Sequence, residues 1–273
     1  MHSAARPAAA ADYERVGVVH VHSDYSRDCD DSLEQIHAVA AARGISFVAL
    51  ADHAEDFEPE LFDEYVAHCA RLSNDRVALV PGLEFRFARH VGLHLLALGL
   101  SRWMRPATPD AFCSEAVDAA TLTVLAHPTL TGYRVPASVT ASVGGVEIWN
   151  ARYNSPLAPD PRAMRMLHDL RVTRHAVAIA GLDQHEVATD GGIRVLVDRT
   201  ASDPIAELAA GRFVNVGRTM RIGSDGAVTR GRLGTVHAAR WTIDHLRETR
   251  HWVVRAGRRA VHRLASSRPS SRS

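Results

Sequence analysis

The feature that most constrains the fold is a regular alternation, from residue 16 onward, of short apolar strands with amphipathic helical segments. Strands are predicted at 16–22, 47–53, 77–84, 94–100, 122–127, 145–149 and 176–183, and helices at 32–43, 58–72, 109–119 and 160–170. Apolar strands separated by helices of this length are typical of βαβ units and a buried parallel sheet. Seven such strands in a row favour a closed or nearly closed β/α barrel over a doubly wound sheet.

The remainder of the chain predicts flanking segments of a different kind. We assign residues 1–15 to an N-terminal tail, 16–217 to the barrel, 218–264 to a basic helical extension and 265–273 to a disordered tail. Within the barrel, a further helix is predicted at 204–210 and a short apolar stretch at 213–216. Apolar residues recur at helical spacing over 236–264, with arginines between them.

The charge of the C-terminal segment bears on its partners. Residues 218–273 carry 13 arginines against only Asp225, Asp244 and Glu248. Such a helix packs its apolar side against its own domain or a second copy of the chain, or binds an anionic membrane or nucleic acid. We favour packing, which leaves a homo-oligomer open. Nucleic acid is disfavoured because the segment lacks the repeated pattern of basic and aromatic residues that stacks on bases.

Composition excludes several classes of protein. All 32 basic residues are arginine, so neither a Schiff-base lysine nor a Gly-Lys-Ser/Thr phosphate loop is available. No apolar run approaches the ~20 residues of a membrane span, so no transmembrane segment is predicted. The three cysteines form an odd count without a Cys-x-x-Cys pair, which indicates reduced thiols and a cytoplasmic location. Cys29 is expected to be an inert thiol.

Histidines and carboxylates gather where the predicted strands end. In a β/α barrel, the carboxyl ends of the strands meet at one mouth, where the chemistry occurs. Eight of these side chains end a strand or follow it in the loop, and a ninth begins one. The eight are His20, His22, Asp28, His53, Glu84, His127, Asp183 and His185, and the exception is His94.

So many polar groups in one pocket would be unfavourable unless cations were present. Imidazole and carboxylate together are ligands for Zn, Mn and Fe, and such mixed sites accept all three metals. The pattern therefore predicts two or three divalent metal ions at the barrel mouth. As single residues, each of these side chains is also compatible with an ordinary polar group at a strand end.

The order of the motifs resembles the PHP (polymerase and histidinol phosphatase) superfamily. The motifs are His-x-His-Ser, Ala-Asp-His, Gly-x-Glu, His-Leu-Leu, Ala-His-Pro and Asp-x-His, within about residues 16–190. The resemblance implies a distorted (β/α)7 barrel of the PHP type with a trinuclear metal site. By that resemblance, one metal takes His20, His22, Glu84 and Asp183, a second takes Glu84, His94 and His127, and a third takes Asp28, His53 and His185.

The activity implied is that of a metal-dependent phosphoric ester hydrolase. We predict a phosphomonoesterase acting on a small phosphorylated metabolite, with in-line attack by a hydroxide that bridges the metals. Asp183, His127 and Arg152 are the predicted catalytic residues, Arg152 as a partner for phosphate. Arg86, Arg134 and Asn150 are further candidates at the same mouth. No general acid is evident from the sequence.

Two alternatives remain open at this point. A hydroxide activated by metal ions also attacks carbonyl carbon, so a hydrolase of carbamate or ester bonds fits the same residues. PHP domains also occur attached to DNA polymerases, so an accessory module is a further reading. We rank it low because the chain has no polymerase segment and every ligand position is filled.

Overall fold

The computed structural model describes residues 15–154, 156–231 and 234. The chain divides into two compact units after Gly231, and every element below belongs to the first. The predicted tail up to residue 14, the helical part of the extension at 236–264 and the predicted disordered segment 265–273 lie outside the described residues.

The described residues of the first unit form thirteen strands and six α-helices. The strands are β1 (Arg15–Val21), β2 (Phe47–Leu50), β3 (Asp52–His53), β4 (Ala78–Val80), β5 (Gly82–Arg86), β6 (His94–Leu100), β7 (Ala120–Ala126), β8 (Gly145–Asn150), β9 (Val177–Gly181), β10 (Arg194–Val197), β11 (Phe213–Val216), β12 (Arg221–Gly223) and β13 (Val228–Arg230). The helices are α1 (Leu33–Ala42), α2 (Pro59–Leu72), α3 (Pro109–Glu115), α4 (Ala137–Ser142), α5 (Pro161–Thr173) and α6 (Pro204–Ala209).

The helices begin where the sequence provides caps for their first turns. Ser32 and Gln35 form a capping box at α1, and Asp160 accepts the backbone N–H groups of Arg162 and Ala163 at α5. Proline opens α2, α3, α5 and α6 at the first helical position, where a missing N–H costs nothing. The helix predictions at 32–43, 58–72, 160–170 and 204–210 are each confirmed to within a few residues. The structure ends α3 at Glu115 and adds α4, which the sequence pattern did not reveal.

The strands form two sheets rather than one. Hydrogen bonding runs in the order β13-β12-β11-β10-β1-β2-β4 in the first sheet and β3-β5-β6-β7-β8-β9 in the second. The predicted strands 47–53 and 77–84 are each broken in two, so that β2 and β4 lie in the first sheet while β3 and β5 lie in the second. Each interrupted strand therefore passes from one sheet to the other.

One strand runs against the parallel sheet that was predicted. The pairs β1–β2, β2–β4, β3–β5, β7–β8 and β8–β9 are parallel, but β6 is antiparallel to both β5 and β7. The loop between β5 and β6 is short and contains no helix, so the two strands form a hairpin rather than a βαβ unit. The expectation of an all-parallel sheet is corrected at this strand.

The two sheets meet again along β1 and the residues after β9. Leu182 N donates to Val19 O at 2.9 Å, His22 N donates to Gln184 O at 2.9 Å, and Gln184 N donates to His20 O at 3.2 Å. These bonds join the sheets at their carboxyl ends, but no continuous ladder closes a ring among the described residues. The closed form of the (β/α)7 barrel is therefore not seen, and a mixed α/β fold of two joined sheets takes its place.

Strands β10 to β13 extend the first sheet past β1; β10 and β11 lie within the predicted barrel range 16–217, and β12 and β13 lie after it. All of their pairings are antiparallel, and β10 also pairs antiparallel with β1. Buried Asn215 ties this extension to β9, because it donates to Ala178 O and accepts from Ala180 N at 2.9 Å each. Residues 221–230, which the sequence analysis placed in the helical extension, contain strands β12 and β13, and the first compact unit ends at Gly231. The domain division at residues 217/218 stays a prediction.

The core lies between the inner faces of the strands and beneath the helices. Phe47, Leu96, Val124 and Ile179 belong to its central cluster and are fully buried. At about 25 cal/mol per Å² of apolar surface removed from water, such side chains each contribute on the order of 1.5–3 kcal/mol. Among the described helices, none has the length and apolar character that a membrane span requires.

Candidate metal centre

Glu84 is the hub of the site. Its carboxylate, on β5, is 2% exposed and lies among imidazoles from several different strands. The distances from a Glu84 carboxylate oxygen are 2.8 Å to His94 Nδ1, 3.1 Å to His127 Nε2, 3.1 Å to His53 Nδ1, 3.5 Å to His20 Nε2 and 3.9 Å to His22 Nε2. Five histidines therefore surround one buried carboxylate.

The antiparallel course of β6 explains why His94 broke the strand-end pattern. His94 is the first residue of β6 and pairs with Arg86, at the end of β5, and with Ala126, at the end of β7. Because β6 runs in the opposite direction, its amino end lies at the same mouth as the carboxyl ends of its neighbours. The exception in the sequence was therefore a sign of strand reversal.

Three of the candidate ligands have strained backbone. His20, His127 and Asp183 have φ angles of 65°, 22° and 50°, in a region that side-chain-bearing residues seldom occupy. At His20 the pairing of β1 with β2 shifts register between Val19 and Val21. Strain of this kind persists only where surrounding contacts hold it, and it concentrates at functional sites.

Asp183, Asp28 and His185 form the outer part of the cluster. Asp183 Oδ2 lies 3.5 Å from His127 Nε2, and Asp183 Oδ1 lies 3.7 Å from His22 Nε2. Asp28 lies between two imidazoles. Its Oδ1 is 3.1 Å from His53 Nε2, and its Oδ2 is 3.3 Å from His185 Nε2. Asp183 is buried, whereas the Asp28 side chain is 53% exposed and stands at the rim.

Several buried nitrogens in the cluster have no hydrogen-bond partner. They are His20 Nε2, His22 Nε2, His53 Nδ1 and His127 Nδ1. For His53 the 3.1 Å approach to Glu84 does not have hydrogen-bonding geometry. An unpaired buried polar atom is costly, and native proteins rarely keep one without a reason. Imidazole nitrogens around buried carboxylates are the donors that Zn, Mn and Fe bind, so these residues fit divalent metal ions.

The protonation of the cluster follows from burial and charge. Burial lowers the pKa of His22 well below its usual value, and the neighbouring His20 lowers it further, so His22 is neutral. Burial opposes ionisation of Glu84, but the close imidazoles of His127 and His20 hold its pKa well below the ordinary range. For His20, burial is outweighed by Glu147 and Asp183, which raise its pKa well above the usual value. Glu84 is accordingly a carboxylate ready to bind a cation.

All nine predicted metal ligands come together at this mouth. Four groups place one ligand atom of each member within 4.8 Å of the others: His20, His22 and Glu84; Glu84, His94 and His127; His22, His53 and His185; and His20, His127 and Glu147. The second group has the members predicted for one metal. The third pairs His53 and His185 with His22, while Asp28 bridges the two from the rim. The assignment of these residues as ligands stays a prediction.

The arginines predicted at the mouth differ in their surroundings. Arg152 Nη1 lies 2.6 Å from His185 Nδ1 and 3.8 Å from Asp183 Oδ1, beside the cluster. Arg86 instead pairs with Glu55 at 3.0 Å. Arg134 is exposed in the loop after a single-turn 3-10 helix, Pro128–Thr131. Asn150 is buried, and its side-chain amide donates to Glu147.

Two buried carboxylates beneath the cluster were not predicted as parts of the site. Glu147, on β8, accepts from His20, from the backbone of His127 and from Asn150. Asp52, next to His53, accepts from Ser23 and Ser26, and burial raises its pKa. The available signal was an acidic residue within an apolar strand, which needs buried partners.

Cys29 does not supply a nucleophile. Its thiol is buried and donates to the carbonyl oxygens of His22 at 3.4 Å and His185 at 3.3 Å. Burial raises the pKa of Cys29 to about 11, so the thiolate is scarce at neutral pH. The thiol instead links the strand end that carries His22 to the loop that carries His185.

A cavity of about 570 Å³ opens beside the cluster. Its walls include Asp28, Asp31, Arg152, Asp183, His185 and Glu186. This volume suits a small ligand. A ligand held here would touch Asp28, Asp183 and His185 of the cluster and the Arg152 guanidinium at the same time.

Comparisons with known proteins agree with the motif pattern. Residues 19–135 match the family model described as the PHP domain, which confirms the resemblance seen in the sequence. The crystal structure of PsfC from Pseudomonas syringae PB-5123 matches with a TM-score of 0.50 at 16% identity, covering 69% of this chain and 83% of that one. The crystal structure of a "putative metal-dependent phosphoesterase" from Bifidobacterium adolescentis matches with a TM-score of 0.41 at 15% identity, covering 63% of this chain and 88% of that one. At 16% identity the likeness to PsfC concerns the fold alone. No curated protein matches the chain.

Proposed function

We propose that this chain, whose residues 19–135 match the PHP domain, is a metal-dependent hydrolase that cleaves phosphomonoesters of small metabolites. The observation that carries the proposal is the set of five histidines around the buried Glu84 carboxylate, four of which leave a buried nitrogen without a partner. Two or three divalent ions of Zn, Mn or Fe would be held there, by the nine residues that the sequence predicted.

The metals and the protein have separate roles in the proposed reaction. When bound, divalent ions in such a site lower the pKa of water and stabilise charge on phosphoryl oxygens. The protein keeps Glu84 ionised and His22 neutral, so both are in the state that binds a cation. Asp183 lines the cavity and lies 3.5 Å from the buried His127, so the two would hold a cation where the cavity meets the cluster.

Arg152 is proposed to bind the phosphate. Its side chain is 46% exposed and lines the cavity next to Asp183 and His185. Because a guanidinium only donates hydrogen bonds, His185 Nδ1 accepts from it, and Arg152 is free to exchange this partner for a phosphate oxygen. A planar guanidinium matches the geometry of phosphate and adds charge-assisted bonds.

The test of the proposed function is phosphate release from a panel of phosphomonoesters by Mn- or Zn-loaded protein. Turnover should require metal and should fall at least about 100-fold in Asp183→Asn, because this change removes a charge that would hold the cation, and the cation would in turn hold the phosphoryl oxygens. Asp169→Asn, an exposed carboxylate on α5, is the matched control and should retain full activity.

If folded, metal-bound protein releases no phosphate from any compound of the panel, the phosphomonoesterase proposal is contradicted. Carbamates, carboxylic esters and phosphodiesters would then be the substrates to assay. Protein that binds no divalent metal would contradict the wider proposal of a metal-dependent hydrolase.

A separate variant tests the role of Arg152. Arg152→Ala should raise KM for the best phosphomonoester about 10- to 100-fold, because a hydrogen bond to a charged group contributes roughly 1.5–3 kcal/mol. Metal content should not change, since the guanidinium is not a ligand. Arg165→Ala, exposed on α5, should leave KM as it is. An unchanged KM in Arg152→Ala would place the phosphate elsewhere.

A further inference from the structure

Glu147 is a buried charge that the proposed reaction does not use. It lies in the middle of β8, is 0% exposed, and is absent from the set of predicted ligands. Its two oxygens face different partners: Oε1 lies 3.0 Å from His20 Nδ1, and Oε2 accepts from His127 N at 2.8 Å and from Asn150 Nδ2 at 2.9 Å. Every one of these partners is a nitrogen that donates or can donate.

Room for this carboxylate depends on a glycine of the neighbouring strand. A Cβ atom at Gly181, on β9, would lie 1.7 Å from Glu147 Oε1 and 3.2 Å from the Cβ of His20. No real Cβ tolerates the first of these distances. Gly181 therefore keeps open the space through which Glu147 reaches across β9 to the imidazole on β1.

The contact with Oε1 determines which nitrogen of His20 can bind a cation. A carboxylate accepts hydrogen bonds, so Nδ1 of His20 must carry a proton to be stabilised at 3.0 Å. In the neutral imidazole the other nitrogen then holds a lone pair. That nitrogen, Nε2, is buried, has no partner and points toward Glu84 at 3.5 Å.

We propose that Glu147 is a positioning residue that fixes the His20 imidazole with its proton on Nδ1, so that Nε2 faces the metal position beside Glu84. The proposal rests on the metal centre of the proposed function. Glu147 also accepts the backbone N–H of His127, whose φ of 22° is strained, so one carboxylate from β8 holds candidate ligands of β1 and β7 in place. Partners that orient an imidazole in this way typically change metal affinity 10- to 100-fold.

Glu147→Gln is a sharp test because it keeps the shape and changes one acceptor into a donor. The amide oxygen is expected to remain on the side with two donors, His127 N and Asn150 Nδ2. The amide NH2 then faces His20 Nδ1 and forces that nitrogen to accept, which puts the imidazole proton on Nε2. In this variant the nitrogen that faces the metal position can no longer bind a cation.

The expected result is a 10- to 100-fold weaker affinity for Zn, measured by competition with a chromogenic chelator, with the same number of Zn ions at saturation. Glu64→Gln, an exposed residue of α2, is the matched control and should keep the wild-type affinity. Loss of one Zn equivalent at saturation would overturn the proposal, because it would make Glu147 a ligand. Unchanged affinity in a folded variant would overturn it as well.

A second measurement needs no variant. In Zn-loaded wild-type protein, long-range ¹H–¹⁵N NMR spectra distinguish the protonated nitrogen of each imidazole, and His20 should show its proton on Nδ1. A proton on Nε2 would overturn the proposal. If wild-type protein binds none of Zn, Mn and Fe, the proposed function fails. If it binds metal and only these two results are contrary, the role of Glu147 alone fails.

Discussion

Replacing Glu84 by glutamine is expected to reduce metal-dependent turnover by at least about 1000-fold. Glu84 is the carboxylate on which the cluster converges, with imidazole nitrogens of His94, His127 and His53 within 3.1 Å. The amide has no charge, and its NH2 group would face these nitrogens as a donor. Loss of several kcal/mol of electrostatic stabilisation corresponds to about three orders of magnitude in rate.

The measurement is kcat for the best phosphomonoester, together with the metal content of the purified variant. We expect bound metal to fall along with kcat, because Glu84 belongs to two of the ligand groups. Glu60→Gln, an exposed residue in the first turn of α2, should behave like the wild type. A Glu84→Gln variant with full metal content and turnover within tenfold of wild type would show that the cluster is not the reaction centre.

The second large effect is a gain of thermal stability on metal binding. A ligand that binds only the folded state at 100 times its Kd adds about 2.7 kcal/mol of stability. For a folded unit of roughly 200 residues this corresponds to a rise in Tm of about 5–10 °C. The gain is expected because metal ions would satisfy the unpartnered nitrogens of four buried histidines. A chelator should reverse it.

This gain should increase from pH 5.5 to pH 8. In the metal-free protein, Glu147 and Asp183 outweigh burial and raise the pKa of His20. A raised histidine pKa stabilises the fold below the unfolded value of about 6.5, and that stability is lost as pH rises through the folded pKa. Metal binding needs the deprotonated imidazole and releases its proton, so metal replaces the lost stabilisation at higher pH.

Ionisation of Glu84 does not reverse this dependence of the stability gain on pH between pH 5.5 and pH 8. Burial opposes its ionisation, but the close imidazoles of His127 and His20 depress its folded pKa. Its contribution is therefore present above the unfolded value of about 4.3 and is lost only as pH falls toward the depressed pKa. Differential scanning calorimetry with and without Zn, at several pH values, checks the trend. A metal-induced shift that is larger at pH 5.5 than at pH 8 would contradict it.

Local pattern was sufficient to predict much of this fold. Apolar runs with turn residues between them located β1, β6 and β8 to within two residues, and capping residues such as Ser32 and Asp160 located the starts of two helices. The candidate site was visible for the same reason. Residues at the ends of neighbouring parallel strands converge whatever the loops between them contain.

Strand direction and pairing could not be obtained this way. An apolar run such as 94–100 reads the same in a parallel or an antiparallel strand, so only the position of His94 hinted at the reversal of β6. The division into two sheets depends on breaks at Ala51 and Pro81. Proline has no N–H to donate to a ladder, but nothing in the apolar run around Ala51 marks a break. The role of Glu147 was hidden because its partners, His20 and His127, are distant in sequence.

The β5–β6 hairpin has a consequence for how the protein folds. It joins Glu84 and His94 through a short connection, so this part of the centre can assemble early, as hairpins form within microseconds. His20 and Asp183 come together only when β1 meets the segment that follows β9, which requires closure of a very long loop of chain. A cation taken up by the hairpin during folding would thus recruit the remaining strands to itself, and refolding should be faster when metal is present from the start.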